Sequence, residues 1–213
     1  MPLRSLYNSI PSYLGIDTIG SLCRKQERIA KIKTGCFGLK PITDSAKTSG
    51  HLKRLIREHK NGITSGLYAP KAPFNFVVLS SKADDYKKAR FIAYGLVSYK
   101  RELTNEAKSL LNAIFSLCPI TSIDLCFDTP IKPNIDAYKL ISGYYRKEQN
   151  THYINAPTFY GIDKIKLYDK AIKDSLKAPL WRIEFTLPIN QPLKYYEPPI
   201  ESIEVVIRAV FVV

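Results

Sequence analysis

The sequence predicts an α+β fold, a largely antiparallel sheet with helices packed on one face. Three observations carry that expectation. Several short segments alternate apolar and polar residues at the two-residue period of a half-buried strand. One segment, 104–117, instead repeats its apolar residues at helical spacing. The elements fall in the order β-β-α-β-α-β-β-β, which fits a largely antiparallel sheet with helices on one face. With 213 residues, 45% hydrophobic and 24% charged, the chain has the material for a real core.

Residues 1–70 carry the weakest signals. Arg24–Lys33 and His51–Lys60 are basic stretches compatible with helices, separated by Gly35, Gly38 and Gly50. Phe74–Ser80 reads as a strand rich in aromatic and β-branched residues, and Ala89–Tyr99 as a strand broken at Gly95. Thr104 reads as the N-cap of a helix whose apolar residues Ala107, Leu110, Leu111, Ala113, Ile114 and Leu117 recur at helical spacing, and Cys118-Pro119 ends it. Ser122–Asp128 is an alternating strand closed by Thr129-Pro130. Asn134–Lys147 reads as a helix. Thr151–Phe159, Lys164–Lys170 and Trp181–Leu187 are three more strands, with a short helix or turn over Ala171–Leu176. Pro188, Pro192, Pro198 and Pro199 mark a loop. Glu204–Val213 is an apolar strand or helix.

Charge bounds the function. The chain has 32 Lys and Arg against 19 Asp and Glu, a net +13, which suits a polyanion such as nucleic acid. The longest apolar stretches, around Phe74–Leu79 and Ile207–Val213, are too short to span a bilayer. The N-terminus lacks the apolar segment and cleavage site of a secretory signal, so a cytosolic protein with reduced thiols is expected. Cys23, Cys36, Cys118 and Cys126 form no CxxC pair, His51, His59 and His152 form no His-x-His pair, and no Gly-Lys-Ser/Thr phosphate loop is present.

Alternation sorts three strands into faces. Ile123, Leu125 and Phe127 point one way, and Ser122, Asp124, Cys126 and Asp128 the other. Ile165 and Leu167 oppose Lys164, Lys166, Tyr168 and Lys170. Trp181, Ile183 and Phe185 oppose Arg182, Glu184 and Thr186. If the strands share a sheet, its open face gathers Asp124, Glu184, Tyr168, Lys166, Lys170 and Arg182. That mix suits phosphodiester cleavage: carboxylates to hold a divalent cation, a phenol to attack phosphorus, and cations to position phosphates. A wet sheet face laced with cross-strand Lys–Glu pairs gives the same pattern without any chemistry. Asp169 falls with the apolar set and reaches the site only if the strand ends or bulges there.

Three segments in order, RFIAYGLVSY–helix–SIDLCFD, TFYGIDKIKLYDKAIK and WRIEFTLP, resemble the trans-acting rolling-circle replication initiators of plasmids and phages over roughly residues 74–190. Residues 1–72 read as a basic N-terminal segment, and the resemblance implies a nicking domain over 73–213, a domain after which full-length initiators normally continue. It also implies that Tyr168 nicks one strand at a replication origin, links to the 5′ phosphate and leaves a 3′ hydroxyl. Asp124 and Glu184, with Asp169 as a third, would hold Mg²⁺ or Mn²⁺, and Lys166, Lys170 and Arg182 would assist. Origin DNA, single-stranded at the nick, is the implied partner, with a host helicase and polymerase, and a homodimer is compatible. The chain departs from the family's pattern at Ser122, where arginine is usual, and in the short turn Gly161-Ile162-Asp163. A non-catalytic DNA-binding regulator on the same fold is the alternative, and a nuclease using water, with Tyr168 structural, a third.

Overall fold

The computed structural model describes residues 2–35, 39–41, 64–69, 74–81, 88–96 and 104–211. The helix expected at His51–Lys60 lies outside them, as does the end of the strand expected through Tyr99. The described elements are helices α1 (Pro2–Ser9), α2 (Gln26–Gly35), α3 (Asn105–Leu117), α4 (Ile135–Lys139), α5 (Lys170–Asp174) and α6 (Ile200–Val210). The strands are β1 (Gly15–Cys23), β2 (Lys40–Pro41), β3 (Thr64–Tyr68), β4 (Asn75–Ser81), β5 (Ala89–Tyr94), β6 (Ile120–Thr129), β7 (Tyr144–Glu148), β8 (Thr151–Asn155), β9 (Lys164–Asp169) and β10 (Trp181–Pro188). The fold is α+β with a largely antiparallel sheet, as expected.

The chain divides into two compact units. Unit one is Met1–Leu3 with Thr18–Thr121, and unit two is Arg4–Asp17 with Ser122–Val213. In unit one the strands run in the order β2-β3-β4-β5-β1, each antiparallel to the next. One face buries Phe76, Val78, Phe91 and Ala93, and α3 buries Leu111, Ile114 and Phe115. Thr104 caps α3 as expected, its side chain accepting from the Ala107 N–H at 3.1 Å. At the other end Arg28 donates to the Leu117 carbonyl at 2.9 Å, satisfying an acceptor that the helix leaves open. β5 ends where the sequence breaks, at Gly95, whose φ of +66° suits glycine.

In unit two the order is β6-β10-β9-β8-β7, again antiparallel throughout. Of the apolar set read from the sequence, Ile123, Leu125, Ile165, Leu167, Ile183 and Phe185 are sealed from solvent, whereas Phe127 and Trp181 are partly exposed. The opposite face, expected to be open, also buries Cys126, Tyr168, Arg182 and Glu184, a correction to the sequence reading. α6 resolves the strand-or-helix ambiguity of the C-terminal segment. It buries Ile203, Val206, Ile207 and Val210, the helical spacing, and Phe211 at its end lies 5.7 Å from the Phe127 ring. α4 packs against α6. The buried Tyr138 of α4 donates to the Ile165 carbonyl at 3.0 Å and the His152 carbonyl at 3.2 Å, pinning the helix under β8 and β9.

The helix expected over Asn134–Lys147 is a correction. Only α4 forms, capped by Asn134, and the chain then turns at Gly143 into β7 and a hairpin with β8. Gly143 has a φ of +139°, and a Cβ there would meet Ile154 Cγ2 at 2.6 Å, so the turn into the hairpin requires glycine at this position. The strand expected over Thr151–Phe159 likewise stops at Asn155.

Candidate functional site

The register of unit two decides which polar residues share a face, because residues directly opposite in an antiparallel pair point the same way. Arg182 lies opposite Tyr168 on β9 and Asp128 on β6; Glu184 opposite Lys166 and Cys126; Thr186 opposite Lys164 and Asp124. The alternation reading therefore holds, and Tyr168, Lys166, Glu184, Arg182 and Asp124 lie on one face.

Their side chains form two clusters that meet where Arg182 Nη1 comes within 3.9 Å of Glu184 Oε1. The Tyr168 hydroxyl donates to Glu184 Oε1 in a short bond. Lys166 Nζ donates to the other Glu184 oxygen at 2.9 Å and to Asp124 Oδ2 at 3.0 Å, so one ammonium ties the two carboxylates together. Arg182, 0% exposed, forms a fork onto Asp128 (Nε–Oδ1 2.6 Å, Nη2–Oδ2 2.5 Å) and reaches Asp17 Oδ1 through Nη1 at 2.5 Å. Over the outer face of the Tyr168 ring lies the Lys173 ammonium of α5, 4.2 Å from the centroid.

Electrostatics follow from this packing. Burial alone would raise the Glu184 carboxyl. The Lys166 charge and the hydrogen bonds from Tyr168 and Lys166 outweigh it and hold the carboxyl down at about 2, from an ordinary 4.5. Desolvation would lower Lys166, but Glu184 and Asp124 keep the ammonium above its ordinary value and charged. Burial and then the Glu184 charge push the Tyr168 phenol far above its ordinary 10, so it stays protonated. Asp17 is raised by burial and by Glu184, against the pull of Arg182.

Linkage gives the first prediction. A folded-state carboxyl held below its unfolded value contributes stability that is complete above about pH 4.5 and lost as the pH falls toward 2. For Glu184 that is on the order of 3 kcal/mol. Asp17, shifted up, contributes with the opposite sign and offsets part of the fall. In Lys166→Met the Glu184 contribution to acid sensitivity should vanish. Urea midpoints from pH 5 to 2 check this; parallel curves for wild type and variant would contradict it.

Of the remaining expected site residues, Lys170 lies near the network, its charge pulling against the raised carboxyl of Asp17, and Asp169 turns away from it. Asp169 ends β9 opposite Trp181, and its carboxylate caps α5, accepting from the Ile172 N–H at 2.9 Å. Asp169→Ala should therefore cost about 1 kcal/mol of stability, as loss of an N-cap does, and leave site chemistry intact. A thermal melt beside an activity assay separates the two effects. Lys170 is buried and paired with Asp174 at 3.0 Å. The three residues expected as metal ligands thus do not converge: Asp124 and Glu184 meet, but around the Lys166 ammonium. Among the described residues no group of three or more His, Cys, Asp or Glu side chains is arranged to hold a metal ion. The Mg²⁺ or Mn²⁺ site expected from Asp124, Glu184 and Asp169 does not fit this geometry.

Three residues of the network were not among the expected ones. Asp128 was on the right face by alternation, Asp17 belongs to a strand without a clear sequence signal, and Lys173 sits one helical turn past the β9 end. The basic charge is also unevenly placed. Unit two carries 13 Lys and Arg against 12 Asp and Glu, whereas the residues of unit one carry 19 against 7.

No family model matches the chain, and no curated protein matches it. Among solved structures, the chain is similar to a rolling circle replication initiator protein from Geobacillus stearothermophilus, with 12% identity and a TM-score of 0.43 over 91% of this chain and 78% of that one. Among the described residues no helix is long and apolar enough to cross a membrane.

Proposed function

We propose that this protein nicks single-stranded DNA at a replication origin with Tyr168 as nucleophile, initiating rolling-circle replication. The observation that carries the reading is the bond from the Tyr168 hydroxyl to Glu184, a nucleophile and proton acceptor already within transfer distance. The motifs SIDLCFD, KLYDK and WRIEF, which resemble those of the initiators, supply the strands on which this pair stands.

In the proposed step Tyr168 Oη attacks the scissile phosphorus and its proton passes to Glu184. The bond from phosphorus to the 3′ oxygen breaks, and that oxygen leaves as a hydroxyl after taking a proton from water. The DNA 5′ phosphate remains esterified to the tyrosine. Glu184 is a poor base while Lys166 holds it. A phosphate arriving beside Lys166 competes for the ammonium, and the burial left behind raises Glu184 toward accepting the proton. Arg182, fully buried and engaged with two carboxylates, is a positioning residue in this scheme. The strongly basic unit one supplies affinity for the DNA backbone, which should fall steeply with salt. A host helicase and polymerase would then extend the 3′ hydroxyl.

A second reading is favoured by one observation: Tyr168 is only 3% exposed, under Lys173, with a phenol held protonated. On that reading the protein is a non-catalytic DNA-binding regulator. Incubation with end-labelled origin DNA separates the two. The nicking reading expects a denaturant-resistant protein–DNA adduct that Tyr168→Phe loses, and the regulator reading expects salt-sensitive binding without an adduct.

A further inference from the structure

The polar face of unit two does not end at the charged network. Through the β9–β8–β7 register it continues to the open edge of the sheet. Lys166 lies opposite Tyr153, and Tyr153 opposite Arg146. Lys164 lies opposite Asn155, and Asn155 opposite Tyr144. We propose that this outer part of the face, centred on Tyr144 and Tyr153, is a stacking platform for the unpaired bases of single-stranded DNA. The proposal rests on the functional reading above and names where the strand leading to Tyr168 would lie.

Four observations point there. Tyr144 is 77% exposed, a large ring on an edge strand whose five residues are all exposed. Its neighbours on the opposite face are used differently: Tyr145 shares a hydrogen bond of 2.8 Å with His152 and packs edge-on to Tyr138. Tyr144 and Tyr153 occupy diagonal positions on adjacent strands, about 7–8 Å apart, close enough for one strand of bases to meet both. The Arg146 guanidinium lies 4.8 Å over the Tyr153 ring, a planar cation beside an aromatic surface.

The geometry also separates this platform from a protein-docking edge. β7 carries Arg146, Lys147 and Glu148 in succession, the kind of charged edge that resists pairing with another strand. Charge is locally balanced, since Arg146 is 2.7 Å from Glu148, so the platform recognises π-faces more than phosphates. Duplex DNA keeps those faces stacked inside the helix and offers none to a tyrosine. From Tyr168 the Tyr144 backbone lies two strands across and four residues along, about 17 Å, so the stacked bases would be a few nucleotides from the scissile phosphate.

The test uses the full chain with a fluorescent oligothymidylate of about 15 nucleotides, the same backbone with abasic sites, and a duplex of equal length. Tyr144→Ala should weaken binding to the oligothymidylate roughly 5- to 100-fold without changing the slope of affinity against salt. Tyr144→Phe should keep the wild-type affinity, because it keeps the ring. Binding to the abasic strand and to the duplex should not change. Unchanged oligothymidylate binding in Tyr144→Ala overturns the proposal, and so does an equal loss on the abasic strand. Adduct formation is read separately. An adduct with no Tyr144 effect leaves the nicking reading standing and removes the platform; a Tyr144 effect with no adduct does the reverse.

Discussion

Arg182→Ala should lose about 3–5 kcal/mol of folding stability, the largest loss expected of any single substitution in unit two. The guanidinium is sealed from solvent and spends its donors on Asp128 and Asp17. Removing it leaves two largely buried carboxylates without the cation that both are bonded to, and leaves a void where a fully buried side chain stood. Arg182→Lys should fall between the extremes. It keeps the charge, but an ammonium cannot reproduce the planar fork onto Asp128. Urea denaturation of the three proteins measures the order wild type, Lys, Ala. Because Arg182 touches the two carboxylates and not the outer surface, Arg182→Lys is expected to retain DNA affinity while adduct formation falls. Equal stability of wild type and Arg182→Ala would mean that the Asp17–Arg182–Asp128 cluster contributes nothing to the fold.

Tyr168→Phe should abolish covalent attachment to DNA completely while leaving equilibrium binding within about twofold, a difference worth no more than about 0.5 kcal/mol. The substitution removes one oxygen and keeps the ring beneath Lys173. It takes away the proton donor to Glu184, so that carboxylate keeps Lys166 as its partner. Stability should change little, because a buried carboxylate retaining an ion pair is not left uncompensated. Loss of binding together with attachment would assign the tyrosine a structural role. Residual attachment would move the nucleophile to another side chain.

The legible parts of the fold were those whose residue types alternate. β6, β9 and β10 set apolar residues against polar ones, and that pattern alone puts Tyr168, Lys166, Glu184 and Asp124 on one face. It does not reveal that this face is itself largely buried, with Arg182, Glu184 and Tyr168 paired among themselves and their neighbours. α3 was equally plain, with a Thr cap, a helical apolar stripe and a proline stop. β7 was not. Both of its faces are exposed, so Tyr144–Glu148 shows no alternation, and its string of Tyr, Arg, Lys and Glu passes for a continuing helix. Only Gly143 and the Gln149-Asn150 turn, with Gln149 at a φ of +51°, mark the hairpin. Asp17 was invisible for a different reason: its place beside Arg182 is set by the tertiary fold, not by local spacing. Asp169 misled through its neighbours. In the Tyr-Asp-Lys sequence it stands beside the nucleophile candidate, yet the strand ends on it and its carboxylate turns to cap the next helix.

The central claim is that Tyr168 becomes the covalent link to DNA, and peptide mapping of the trapped adduct tests it most directly. Trypsin cuts after Lys166 and after Lys170, so Tyr168 is released in Leu167–Lys170 with no other tyrosine. After nuclease trimming, that peptide should carry a 5′-phosphorylated nucleotide remnant on its tyrosine. A remnant on any of the other tyrosines, or strand cleavage with no modified peptide, would contradict the assignment.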